Sequence, residues 1–354
     1  MIKNLMLIAL RNFRKDKWFS LLNILGLTIG ISFSLFLIFY IKDELNYDRY
    51  HDKASRIYRI NSYIQEKDKN TDWTLTQLPL GPTLKKDYPE VEEFVRFAPR
   101  ERTLFKKDNN NFYETKIYYA DSTIFNIFSY KVVEGNPATA LNEPGSIVIT
   151  KTLAKKYFGK NSAVGQTLKT VYDVYNVTAV IEDLPKNSHL LFDMLISMPT
   201  YLKVNPPNQF AWGNFNYFTY VLLKPGADAN AFNNKMKPMY DKYMAAIFSQ
   251  FNVRMHYGVQ NITDIHLHSN LQNEPEELGS MSYIWIFSAV AFFMLLIGCI
   301  NYMNLTTARS ARRAKEIGIR KVTGSSKNQL VLQFLSESLV TAFVAALLSV
   351  LVVF

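Results

Sequence analysis

The chain has 354 residues, 48% of them hydrophobic, with a formal net charge of +10. A basic nucleic-acid-binding protein would fit those totals, but residues 42–282 hold 28 basic against 27 acidic residues, and nearly all the excess flanks uncharged runs. Basic residues beside apolar spans mark membrane insertion with the positive flanks inside, so no nucleic-acid partner is expected.

Residues 1–17 read as an amphipathic helix on the cytoplasmic membrane surface, with Leu5, Met6, Ala9, Leu10 and Phe13 on one side and Lys3, Arg11, Arg14 and Lys15 elsewhere. Residues 18–41 are uncharged throughout, longer than the ~20 residues a span requires, and form transmembrane helix 1. Within it Gly26, Gly30 and Ser34 recur every four residues, which stacks small side chains on one face and predicts close packing against another helix.

Residues 42–282 contain no further long apolar run and must form a folded domain on the far side of the membrane. Strand patterns occur at 56–65, 112–119, 146–149, 173–182 and 217–223, and helical ones at 76–86, 151–157 and 229–248. The domain is therefore expected to be α+β, in two parts that exchange near residues 90–145 and near 205, where turn-forming residues cluster.

No charge falls between Glu277 and Arg309, which places transmembrane helix 2 at 283–303, with Tyr283, Trp285 and Tyr302 at its interfaces. Cys299 inside this span rules out an intrachain disulfide and reads as a small packing residue. A cytoplasmic segment at 304–327 follows, and 328–354 is a third span, interrupted by the end of the sequence. The whole predicts a multi-pass α-helical membrane protein with a large inserted α+β extracytoplasmic domain.

The phosphate-cradling pattern Gly-x4-Gly-Lys-Ser/Thr is absent; Gly159, Lys160 and Asn161 are its nearest trace. The five histidines give no zinc-hydrolase spacing, and His266 with His268 do not make a metal site alone. Nothing resembles a nucleophile elbow, and Glu276 and Glu277 sit in a polar loop. No catalytic residue, metal or bound cofactor is expected. The segment 308–324 is different: as a helix it would align Arg312, Glu316 and Arg320 at i, i+4 and i+8, with Gly324 as its stop and Ser326 and Gln329 as a capping box for the next helix. It reads either as an ordinary positive-inside loop or as a stiff, capped lever.

The run from Leu305 through Ala308, Arg309, Arg312, Arg313, Lys315, Glu316, Ile317, Gly318, Arg320 and Lys321 to Gly324, followed by Gln333, Phe334, Ser336 and Glu337, resembles the inner-face segment of MacB/FtsX-like ABC transporter permeases. Three further stretches are similar to that family: Leu10 to Lys15; Asp43 to Asp48 with Ile57 to Ile60; and 147–197, including Tyr157, Phe158, Gly159 and the run Leu184 to His189. The resemblance implies a non-catalytic permease subunit in the bacterial inner membrane, N-terminus cytoplasmic, whose periplasmic domain combines a porter-like part with a second mixed subdomain. It implies a separate cytoplasmic ATPase that uses ATP, a second permease copy or homodimer, and a periplasmic or outer-membrane component. Arg312, Arg313, Glu316, Arg320, Lys321 and Gly324 would meet the ATPase, and the substrates would be peptides, antibiotics or lipoproteins. Since the family has a fourth span, the chain reads as an incomplete permease. An alternative is a sensory protein whose ectodomain binds a ligand and controls a partner enzyme.

Overall fold

The computed structural model describes residues 17–67, 69–108, 110–206, 211–324 and 326–353. The amphipathic helix expected at 1–17 thus lies outside the described residues except for Lys17. Asn46–Ser280 is one compact unit, and the chain before and after it is a second. Helix α1 (Lys17–Leu45) passes the expected end of its span at residue 41, because Lys42 and Glu44 are good helix formers and nothing interrupts the backbone before Asp48, at φ 58°.

In the ectodomain, Asn46–Ser280, the order is β1 (Ile57–Gln65), β2 (Asn70–Trp73), β3 (Thr76–Gln77), α2 (Leu80–Asp87), β4 (Val91–Arg100), β5 (Thr103–Lys107), β6 (Asn110–Glu114), β7 (Ile117–Ala120), α3 (Ile124–Ile127) and β8 (Val132–Gly135). It continues with β9 (Ser146–Thr150), α4 (Lys151–Phe158), β10 (Thr167–Lys169), β11 (Val174–Ile181), β12 (Met194–Ser197), α5 (Met198–Val204), β13 (Phe215–Leu223), α6 (Ala229–Lys235), α7 (Ala245–Phe248), β14 (Arg254–Asn261) and α8 (Ile262–His268). Among the described residues the strands form a single sheet in the order β14-β1-β13-β4-β7-β12-β9-β11-β10-β5-β6, with β2, β3 and β8 beside β1, β13 and β11. The chain leaves the first half after β4 and returns at β13.

Local chemistry explains the elements. Every residue of β9 is buried and its centre, Ile147 to Ile149, is wholly apolar, whereas the first half of β11 alternates exposed Val174 and Asn176 with buried Tyr175 and Val177. Thr150 caps α4 by accepting the Leu153 N–H on its hydroxyl oxygen at 3.3 Å, and Gly159, at φ 65°, ends the helix. The central core draws Ile57, Val95, Phe97 and Tyr220 from one half and Ile181, Leu190, Phe192 and Leu195 from the other, so the two parts share one interior. Leu80, Leu84, Phe232 and Met236 close the first half, and Leu153, Tyr157 and Phe158 the second.

Three expected elements are corrected. Thr76 and Gln77 pair with β13, and the helix expected over 76–86 begins only at Leu80, after Pro79. The strand expected over 112–119 is two, since β6 pairs with β5, while β7 runs between β4 and β12. The helix expected over 229–248 stops at Lys235 as Pro238 approaches, and resumes as a π-turn, Tyr240–Met244, and α7.

The other unit adds α9 (Met281–Val322) and α10 (Lys327–Val353) to α1. Three segments are long and apolar enough to cross a membrane: Lys17–Leu45, Met281–Ala308 and Leu330–Val353. Their outward faces carry Leu22, Ile29, Phe36, Phe292, Ile297, Leu339, Phe343 and Leu351, a surface suited to lipid. There is no break where the second span was expected to give way to a cytoplasmic segment at 304. The helix continues to Val322, and its 42 residues rise about 63 Å, twice the hydrocarbon thickness.

Candidate coupling site

Gly26, Gly30 and Ser34 lie on the face of α1 that meets α9. A Cβ added to Gly30 would stand 3.3 Å from the Met294 carbonyl oxygen and 3.6 Å from the Gly298 Cα. One on Gly26 would stand 2.9 Å from Nδ2 of Asn301, and the Ser34 hydroxyl donates to the Ala291 carbonyl at 2.9 Å. The two backbones therefore approach glycine to glycine, with Ala291 and Gly298 supplying the second half of the seam. Their seven-residue spacing was a readable signal within an apolar run. Another face of α1 holds α10: Thr28 donates to the Ala345 carbonyl at 3.4 Å, and the Thr28 carbonyl accepts from Ser349 at 3.1 Å. Cys299, expected as a packing residue, is exposed instead, because the helical turn places it beside the seam residue Gly298 and off the contact.

At the far end of α9 the backbone places Arg312, Glu316 and Arg320 on one helical stripe, successive members about 6 Å apart along the axis. The side chains of Arg312, Arg313, Glu316, Arg320 and Gln329 lie outside the described residues. The helix closes with the Thr323 N–H donating to the Ile319 carbonyl at 3.0 Å and the Gly324 N–H to the Lys321 carbonyl at 3.3 Å. Gly324 has φ 98°, a conformation that favours glycine, and lets the chain reverse before α10 starts with the Leu330 N–H on the Ser326 carbonyl. Lys321 is exposed, and so are two residues that sequence reasoning passed over, Ile319 at 59% and Val322 at 89%. Ile319 and Val322, three residues apart, share one helix face and form an exposed apolar pair, while Lys321 projects from a different side of the same turn; among the described residues no atom lies within 4 Å of a Cβ placed on Gly318.

Inside the ectodomain, two stretches that carried the family resemblance meet. The Asp48 N–H donates to the Asn187 carbonyl at 3.0 Å, and the Asp48 carboxylate accepts the His189 N–H at 3.2 Å. The His189 ring sets Nδ1 at 2.9 Å from that carboxylate, a close approach without hydrogen-bond alignment, and Nε2 at 2.8 Å from the Tyr220 hydroxyl. Tyr50 shares a hydrogen bond of 2.7 Å with Ser188, and burial pushes its phenol well up. His51 accepts the Ser129 N–H on Nδ1 at 3.1 Å, and burial pulls its imidazole down to about 4.

A family model described as MacB-like periplasmic core domain matches residues 20–239, and one described as FtsX-like permease C-terminal matches 288–354. The chain is 25% identical over 204 residues to a macrolide export ATP-binding/permease protein MacB of Bdellovibrio bacteriovorus, covering 57% of this chain and 29% of the relative. It is 25% identical over 235 residues to the uncharacterized ABC transporter permease YknZ of Bacillus subtilis, covering 64% and 53%. The chain thus spans between about a third and about half of the length of these relatives. A solved domain of a putative permease protein from Porphyromonas gingivalis superposes with a TM-score of 0.52 at 20% identity, over 60% of this chain and 91% of that one, a likeness of fold.

Proposed function

The chain belongs to the MacB-like periplasmic core domain family and ends in an FtsX-like permease region, and from that membership we propose that it is the permease subunit of an ABC transporter. In this reading a cytoplasmic ATPase hydrolyses ATP, the membrane helices carry the resulting motion outward, and the periplasmic ectodomain does work on an exported or extracted peptide, antibiotic or lipoprotein. The permease subunit itself is non-catalytic and binds no cofactor. Its N-terminus is cytoplasmic, a second permease copy completes the assembly, and a periplasmic or outer-membrane component receives the substrate.

The observation that carries the reading is the continuity of α9 from Met281 to Val322, a rod that outruns its own apolar segment by 14 residues and ends in a glycine-stopped turn. A loop needed only for topology has no reason to extend the helix by about 21 Å. Ile319 and Val322 supply an exposed apolar face and Lys321 an exposed cation on another side of the last turn for the ATPase, and the backbone carries Arg312, Arg313, Glu316 and Arg320 on the same helix. Purification of the full protein from membranes in the presence of ATP should bring down a Walker-motif ATPase, and Arg320→Glu with Lys321→Glu should release it while leaving the ectodomain folded. A preparation that never contains such an ATPase, or a charge reversal without effect on activity, would return the sensory alternative.

A further inference from the structure

The segments 46–51 and 269–280, which continue directly into α1 and α9, are fastened within the ectodomain at several points. On the outgoing side the Asn187 side-chain amide donates to the Asn46 carbonyl at 3.3 Å, and Tyr47 lies flat on His266, ring centres 3.4 Å apart. On the returning side the Trp73 indole donates to Gln272 at 3.2 Å, and the Thr74 hydroxyl to the Asn273 carbonyl at 2.6 Å. Glu274 receives both ends of the Arg59 guanidinium, at 2.5 and 2.7 Å, and Arg59 is wholly buried. Arg59 Nε donates to Asn61, and Nη2, which also meets Glu274, lies within hydrogen-bond distance of Gln260 and Ser269.

These two fastenings converge. Arg59 on β1 stands directly opposite Tyr220 on β13 in the antiparallel register, so their side chains share one face of the sheet. Tyr220 reaches His189, and through it Asp48 of the outgoing segment; Arg59 reaches Glu274 of the returning one. Two buried polar clusters, one on each membrane connector, therefore end on neighbouring residues of one cross-strand pair, Arg59 and Tyr220, which are packed side by side on β1 and β13 without a hydrogen bond between them. Such a buried charge pair is a poor source of stability, since desolvation offsets most of its attraction and well-packed apolar residues do as well or better. What it does supply is a fixed angle, two parallel hydrogen bonds between groups 215 residues apart in sequence.

We propose that Asp48, His189, Tyr220, Arg59 and Glu274 are positioning residues that tie both connectors to a single point of the ectodomain sheet, so that displacement of α1 or α9 reaches the domain without slack. This rests on the transmission reading above and names the residues through which the motion passes.

The test measures hydrogen exchange on the full chain in lipid nanodiscs with its co-purified ATPase, with and without vanadate-trapped nucleotide. The Arg59→Met/Glu274→Leu double variant replaces the ion pair with apolar side chains of similar size. It should stay folded and keep its ATPase rate, exchange amides of 270–277 about tenfold faster, and lose the nucleotide-dependent change in β1 and β13. Tyr220→Phe, which removes only a hydroxyl, should reduce that change with the fold intact and decides the matter if the double variant does not fold. A full wild-type response in both variants overturns the proposal and leaves transmission standing. Absence of any nucleotide-dependent change in the wild-type ectodomain overturns transmission, and the proposal with it.

Discussion

The two ends of α9 lead into opposite kinds of surroundings. Upstream of Met281 the chain is gripped: Gln272, Asn273 and Glu274 are bonded to Trp73, Thr74 and Arg59 within their own domain. Downstream, Ile319, Lys321 and Val322 are open. Among the described residues the helix is thus held by its own polypeptide at one end and exposed at the other, and in the proposed reading the exposed end is where the ATPase docks. The packing seam in between, Gly30 against Gly298, uses close backbone contact instead of charge, as the absence of water in lipid demands.

The contrast breaks first at the secured end. Glu274→Leu alone leaves the Arg59 guanidinium buried without its carboxylate, and urea unfolding of the full protein should show a loss of about 3–5 kcal/mol. If the single and double variants are equally stable, the pair is not the constraint described here. Acid is the next probe. His51 is held neutral in the fold, down to about 4, while the unfolded chain protonates near the ordinary value of about 6.5. Below that ordinary value the unfolded state binds a proton that the folded state refuses. Stability is therefore complete above about pH 6.5 and falls as the pH drops toward 4, by a total on the order of 3 kcal/mol. Thermal midpoints of wild type and His51→Gln should converge on acidification, and parallel curves would count against it. The smallest effect belongs to the bare end. Gly324→Ala strains a residue at φ 98° and should cost about 1 kcal/mol while weakening ATPase association more than ectodomain stability. Equal losses in both would mean that the turn serves folding alone.

Much of this was legible beforehand, and for physical reasons. Spans declare themselves because charge is excluded from lipid, and the every-fourth-residue recurrence of Gly26, Gly30 and Ser34 marked the face that meets α9. The β9 and β11 patterns gave their strands directly. Prolines carried two of the local errors: Pro79 and Pro238 each moved a helix boundary that apolar periodicity had set without them. Strand β4 went unread because Glu92 and Glu93 interrupt its apolar alternation, though both find lysine or arginine partners at the surface. The Asp48–His189 and Arg59–Glu274 contacts could not be read at all, as they join residues 141 and 215 apart in groups that composition treats as surface.

Helix α9 has no proline over its 42 residues. Such a helix is stiff in torsion as well as in compression: a twist imposed at Val322 arrives at Met281 with its phase preserved, because the ladder of backbone hydrogen bonds offers no joint to absorb it. Each residue advances the helical screw by about 100°, so inserting or deleting one residue between 309 and 318 would rotate the last turn of α9 by that angle relative to Met281 while changing the length by only about 1.5 Å. The rotational setting of this shaft, more than its reach, is therefore the quantity that insertions would disturb.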